Sequence, residues 1–448
     1  MRLGLAAVCA AMMIFFCGVA AADSGPVAAP TTTVAVQSLP AIASPQAGFD
    51  AVKATNAYLS QIKGEARARS DSYFEGGYVL ILVDALYAVI VSGILLWLRI
   101  SAGMRSIAQR WTRSRFLQVP IYVLMYIVLS TAMTFPLTVY EAFFREHAYG
   151  LSNQNFMQWF GDFGIDFAVN LVATTLLLTV IYSVIRAAPR TWWVWGTMVT
   201  MVFLVIGVAI SPVFVAPLFN TYTPLKEGPL KSQILSVARS EGIPATNVYE
   251  FDASKQTKRV SANVSGIFGT TRISMNDNLL NRSSHDEIIA VLGHEMGHYV
   301  LSHVAIGLTW LGLLVLVAFV FVNWGYKALV SIFGGAWGVR TIDDPAGLPV
   351  LMALVSVFFM LATPVLNTMT RTLEAQADIF GVNAVRKPDG FAKSALKLSE
   401  YRKLDPTPLE EFVFYDHPSG RSRIYMMMRW KAEHLNDADI KNGPVSPQ

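Results

Sequence analysis

The strongest constraint on this chain is the recurrence of apolar runs long enough to cross a lipid bilayer. A spanning helix needs about 20 apolar residues at roughly 1.5 Å rise each. Six stretches meet that need: "YVLILVDALYAVIVSGILLWL" (78–98), "FLQVPIYVLMYIVLSTAMTFPLT" (116–138), "FAVNLVATTLLLTVIYSVI" (167–185), "VWGTMVTMVFLVIGVAISPVFVAPLF" (194–219), "AIGLTWLGLLVLVAFVFV" (305–322) and "PVLMALVSVFFMLATPVLN" (349–367). No internal repeat relates them. An ordinary soluble fold is excluded, since 53% of the residues are hydrophobic and only 15% are charged. The fold class expected is a mainly α integral membrane protein, with the lipid bilayer as an obligatory partner.

The net charge of +4 does not imply a nucleic-acid partner, because membrane proteins collect Lys and Arg in loops on one side. "RISAGMRSIAQRWTRSR" (99–115) holds five Arg and no acid, with no aromatic interleaving and no nucleic-acid fold signal, so no nucleic acid is expected. At the N-terminus, "MRLGLAAVCAAMMIFFCGVAAADS" has a basic second residue, an apolar core and small residues around Ala20 to Ala22. Residues 1–22 read as a signal peptide or a first transmembrane helix. Both cysteines, Cys9 and Cys17, lie inside that segment, so a mature chain lacking it has no disulfide and no thiol chemistry. Residues 23–48, rich in Pro, Ala, Ser and Thr, read as a disordered linker, and 431–448 as a C-terminal tail.

Charge also sets an expected orientation. If residues 23–77 are exported, the five-arginine loop is cytoplasmic and the spans alternate from there. Loop 139–166, acidic on balance, and the two long polar segments 220–304 and 368–448 then lie outside. That predicts an inner-membrane protein of a bacterium, with these segments facing the periplasm.

The polar segments read as one α+β domain built from two pieces. "PLKSQILSVARSEG" has helical spacing, "NVYEFD" and "RISMND" alternate as strands, and "SANVSGIFGTT" between them suits a strand edge with a turn. "SSHDEIIAVLGHEMGHYVLSH" reads as a helix with Ser283 or Ser284 as N-cap. "MTRTLEAQADIFGVNAV" and "DGFAKSALKLSEYRKL" supply two more helices.

The chemistry concentrates in "VLGHEMGHYVLSH" (291–303), which contains His-Glu-x-x-His. On a helix, His294 and His298 share one face and can reach one cation. Neutral imidazoles suit Zn²⁺, a hydrolytic zinc site keeps a position open for water, and Glu295 stands ready to take that water's proton. His303 is nine residues beyond His294, about half a turn away on a continuous helix, and is expected to point away from the metal. It also fails the metzincin spacing. A third ligand must come from elsewhere. "RTLEAQADIFG" carries Glu374, able to ligate, and Asp378 on the same helix face, able to hold the free ring nitrogen of a ligand histidine.

"VLGHEMGH", two hydrophobic spans, "EAQAD" and "DHPSGRSRI" together resemble the membrane-embedded zinc CaaX prenyl endopeptidases, the type I CaaX proteases. "FPLTVYEAFFREHAYGLSNQNFMQWFGDF" (135–163), "APLFNTYTPLKEGPLKSQI" (216–234) and "SKQTKRVSANVSGIFGTTRISMNDNLL" (254–280) carry the resemblance further. It implies one Zn²⁺ per chain, held by His294, His298 and Glu374, with Glu295 as general base. It further implies that Asn263 hydrogen-bonds an extended substrate, that His417 lies near the oxyanion, and that Arg423 orients acidic groups of the site. The implied fold is a ring of six or seven transmembrane helices around a chamber, with a gluzincin-like zinc protease domain closing one end. The expected division is an N-terminal transmembrane domain of four spans over 73–219 and a metallopeptidase domain over 220–430 that includes spans 305–322 and 349–367. The implied function is zinc-dependent hydrolysis of membrane-associated peptides or proteins. The rival reading is a non-catalytic channel or assembly factor with a protease-like shell, for which Asp84, alone within a span, would line a pathway. A dead shell is expected to lose Glu295 or a ligand.

Overall fold

A computed structural model describes residues 39–45, 48–266 and 271–441. The segment expected as signal peptide or first helix lies outside them, as do residues 442–448 of the expected C-terminal tail, whose described part is packed, with Lys431 and Ile440 buried. Five of the six apolar runs fall in single long helices: Gly64–Trp97, Arg115–Ala148, Phe156–Ala187, Trp192–Leu218 and His303–Trp337. The sixth is not a straight span. Pro345–Leu361 and Thr363–Val385 meet at a 55° bend. Pro364, in the first turn of the second helix, has no N–H to give to the helix before it, so the hydrogen-bond ladder stops there and restarts in a new direction.

The spans form a closed ring. Neighbours run Gly64–Trp97, Arg115–Ala148, Phe156–Ala187, Trp192–Leu218, His303–Trp337, Pro345–Leu361 and back to the first. Six described spans therefore suffice to close it. Their outward sides present Leu, Val, Ile and Phe, as lipid contact requires, while Asp84, Asn170 and Thr174 are buried. One end of the ring is filled by a large apolar cluster that includes Tyr122, Tyr182, Trp192 and Tyr326. The basic loops converge at that end: Arg99 donates to the Ala336 carbonyl at 2.7 Å, Arg186 to that of Arg115 at 2.7 Å, and Arg105 pairs with Asp344 at 2.5 Å.

The α+β domain built from the two polar segments covers the opposite end. Its four-stranded sheet has the order β1-β2-β4-β3, with β1 Tyr222–Pro224, β2 Val248–Phe251, β3 Ala262–Ser265 and β4 Arg272–Asn276. β2 and β4 pair in parallel, and the other two pairings are antiparallel, so β1 and β3 are edges. Strands β2 and β4 match the alternating runs, and β3 lies in the segment read as a strand edge. β1 is too short to show a period.

Loop residues on the first spans grip this domain. Ser152 bridges Thr257, Asn153 N–H donates to the Gln256 carbonyl at 3.0 Å, and Arg259 reaches Glu146 at 2.8 Å while Tyr73 donates to Glu146 at 2.6 Å. The segment so held leads directly into edge strand β3. The expected disorder of 23–48 does not extend through its end. Ala43 is fully buried, and Lys431, itself buried, donates to its carbonyl at 2.7 Å and to Asp389 at 2.5 Å. An alanine-rich segment can lie flat in a narrow crevice that larger side chains would not enter, so its composition alone misread it.

Candidate metal centre and active site

Two helices make the site, and glycine lets them touch. The active-site helix His285–Val300 begins where Glu287 accepts the Ser284 N–H at 2.6 Å, a capping-box contact. It packs along Thr363–Val385 through Gly293, Gly297, Ala377 and Gly381. A Cβ added at Gly381 would lie 2.7 Å from the His294 backbone nitrogen, and one at Gly297 would lie 3.1 Å from the Ala377 Cα. Small residues four apart on both helices allow this near-contact of backbones. The i, i+4 geometry then sets His294 and His298 against Glu374 and Asp378.

The donors converge. His294 Nε2 and His298 Nε2 are 3.1 Å apart, and Glu374 lies 3.2 Å from the first through Oε2 and 3.4 Å from the second through Oε1. All the candidate ligand atoms fall within 4.8 Å of one another. Glu374 Oε2 is buried and makes no hydrogen bond, although His294 and His417 stand close by; it is aimed into the space the three residues share. Two imidazoles and one carboxylate meeting around that space fit a divalent cation with a coordination position left open.

Behind the donors stand ordering groups. His294 Nδ1–H donates to Asp378 Oδ1 at 2.8 Å, and Arg423 grips the fully buried Asp378 through Nε at 2.8 Å and Nη2 at 2.5 Å. A forked guanidinium on a carboxylate is geometrically specific. Burial disfavours an imidazolium at His294, yet the hydrogen bond to Asp378 and the nearby Glu374 carboxylate override it and push its pKa up to about 10.

Glu295 sits between the two histidines in sequence and is partly buried. Burial pushes its carboxyl above the ordinary range, with His294 and His298 opposing. His417 Nε2 lies 3.1 Å from Glu374 Oε2, and its Nδ1 meets Asp416 at 3.0 Å. Asn263 lies on edge strand β3, opposite Ser274, and that strand packs on the active-site helix.

His303 is the correction. It is no member of the converging donors, as its spacing suggests, but it does not point away. The helix ends at Val300, Ser302 takes a left-handed conformation (φ 55°), and a new helix starts at His303. The imidazole turns back, with Nδ1 2.9 Å from His298 Nδ1 and Nε2 3.2 Å from Gln376 Oε1. A straight-helix projection fails because one non-glycine residue changes hand. Sequence reasoning also missed Gln376 and the glycine contacts, whose only trace is the small-x-x-x-small spacing in both motifs.

Comparison with known proteins agrees with this architecture. Residues 224–431 match the model of peptidase family M48, and residues 53–221 match the CAAX prenyl protease N-terminal domain, described as five membrane helices. The uncharacterized metalloprotease YhfN of Bacillus subtilis is 32% identical over 329 residues, covering 72% of this chain and 77% of that one. CAAX prenyl protease 1 of Saccharomyces cerevisiae is 28% identical, covering 66% of this chain and 69% of that one. The crystal structure of S. mikatae Ste24p matches with a TM-score of 0.63 at 22% identity, over 88% of this chain and 92% of that chain, which shows a common fold. These relatives favour the protease over the non-catalytic shell. With family models matching residues 53–221 and 224–431, and a metalloprotease more than 30% identical, the chain belongs to peptidase family M48 and is an integral-membrane metalloendopeptidase.

Proposed function

We propose that the metal is zinc, one per chain, held by His294, His298 and Glu374, and that the enzyme cleaves membrane-associated peptides or proteins. The observation that carries this reading is the convergence of those three residues, with Asp378 and Arg423 locked behind one of them. The ion supplies the charge that acidifies a water and polarises the scissile carbonyl. Glu295 takes the proton of the attacking water and passes it to the leaving amine. His417, 3.1 Å from Glu374, donates to the oxyanion as it develops. Edge strand β3 offers its free backbone groups to an extended substrate, and Asn263 fixes that segment's register. Asp378, clamped by Arg423, holds His294 in the tautomer that leaves Nε2 free.

The division we propose is a transmembrane domain over 73–219 and a metallopeptidase domain over 220–430 that includes spans 305–322 and 349–367. The site faces the periplasm of a bacterial inner membrane. Arg99, Arg105, Arg186 and their neighbours gather at the end of the ring opposite the protease domain, which supports this under the positive-inside rule. On that orientation the enzyme does not meet prenylated cytosolic proteins. An alkaline phosphatase fusion after Gln448 is expected to be active; a stable but silent fusion would overturn the orientation.

Metal uptake has a pH signature. His294 has its pKa raised, so it holds its proton below about 10 in the metal-free site and must release it to bind zinc. Zinc affinity is therefore expected to rise about tenfold per pH unit between roughly pH 6 and 8, read by chelator competition. Affinity independent of pH in that window would contradict this proton assignment.

A further inference from the structure

The backbone is bent to bring His303 to the metal site. Ser302 adopts φ 55° and ψ 36°, a left-handed conformation that is disfavoured for a non-glycine residue. Such strain persists where surrounding contacts over-determine it, and it clusters at functional sites. Here its effect is specific. Without it, the active-site helix would carry residue 303 past the site; with it, the imidazole is buried and lies 2.9 Å from a candidate ligand.

The contacts assign every proton along a short chain. His298 Nε2 is the nitrogen that faces His294 and Glu374, so its lone pair serves the metal and the ring proton sits on Nδ1. His298 Nδ1–H donates to His303 Nδ1, which must then be an unprotonated acceptor. The proton of His303 is consequently on Nε2, where it donates to Gln376 Oε1 at 3.2 Å. Three neutral groups satisfy one another with no charge involved. On the other side of the site, His294 Nδ1–H meets a carboxylate, Asp378, backed by Arg423. The two histidines of one motif are thus supported in two different ways.

We infer that His303 is a positioning residue for the metal: it fixes the tautomer and ring rotation of His298, and Gln376 fixes His303. This rests on the reading of His294, His298 and Glu374 as the ligands. A neutral acceptor at this place has a chemical reason. Glu374, Asp378 and Glu295 already bring three carboxylates to the site, and a further one on His298 would make it a stronger donor and drain positive charge from the ion. His303 orders the ligand without adding charge.

The test is zinc binding by the full-length chain in detergent, measured by chelator competition, with cobalt absorption spectra as a second readout. His294→Ala serves as the control that removes a ligand outright. Wild type is expected to bind one zinc, and His294→Ala none. His303→Leu is expected to raise the zinc dissociation constant by about 10–100-fold and to alter the cobalt spectrum, with the metal-free melting midpoint unmoved. His303→Gln, whose amide oxygen can accept from His298, should recover most of that loss. Gln376→Leu should give a smaller loss, and it keeps the inference testable if His303→Leu fails to fold. Binding by His303→Leu within about twofold of wild type, or equal losses in the Leu and Gln variants, would overturn the positioning role while leaving the ligand set intact. A wild-type chain that binds no zinc would instead bring down the ligand reading on which the inference stands.

Discussion

Glu295→Gln is expected to lower kcat for peptide hydrolysis by about 10²–10⁴-fold while zinc stays bound. Glutamine has the same shape as glutamate, so the partly buried position beside His294 keeps its packing. What it loses is the ability to accept a proton. Neither His294 nor His298 changes, nor do the contacts of His294 with Asp378 or of His298 with His303. A pure base deletion therefore shows in turnover and leaves metal content and melting midpoint at wild-type values. Retention of more than about a tenth of wild-type turnover, with zinc bound, would remove Glu295 from the role of base.

Gly381→Val should be equally damaging without touching a proposed ligand. A Cβ at that position would lie 2.7 Å from His294 N, 2.7 Å from the Phe391 ring and 2.9 Å from the Gly293 carbonyl carbon. Two of those atoms are backbone and cannot swing aside. The active-site helix and Thr363–Val385 must move apart, which overpacking data put at about 1–3 kcal/mol or more. The larger effect falls on function, because Glu374 rides on one helix and His294 and His298 on the other. Donor atoms now 3.2 and 3.4 Å apart would no longer share one ion. The purified variant is expected to carry little zinc and to have no measurable activity. Gly161→Ala, where nothing lies within 4 Å of an added Cβ, is the matched control and should behave as wild type. Full zinc occupancy in Gly381→Val would mean that helix separation does not govern the site.

Much of this was legible in the sequence, and the reasons are physical. A bilayer demands about 20 apolar residues, so the spans are written as composition. An ion demands specific donor types at helical spacing, so His294, His298 and Glu374 can be picked out before any coordinates. Asp378 follows because it lies one turn beyond Glu374. What escaped was decided by single backbone positions or by tertiary packing. The sixth apolar run is bent at Ala362, although "LATPVLN" carries the proline that causes it. His303 was sent the wrong way because Ser302, unlike glycine, gives no warning of a left-handed turn. The end of the Pro- and Ala-rich segment looked disordered until Lys431 and its neighbours provided a crevice for Ala43.

The most direct test of the proposed metal centre is peptide hydrolysis by the full-length protein, stripped of metal and titrated with zinc, beside a Glu374→Ala variant. Activity that returns and saturates at one zinc per chain, with Glu374→Ala inactive throughout, is the expected result. Hydrolysis that survives metal removal, or that returns with zinc in Glu374→Ala as in wild type, would contradict a site built from His294, His298 and Glu374.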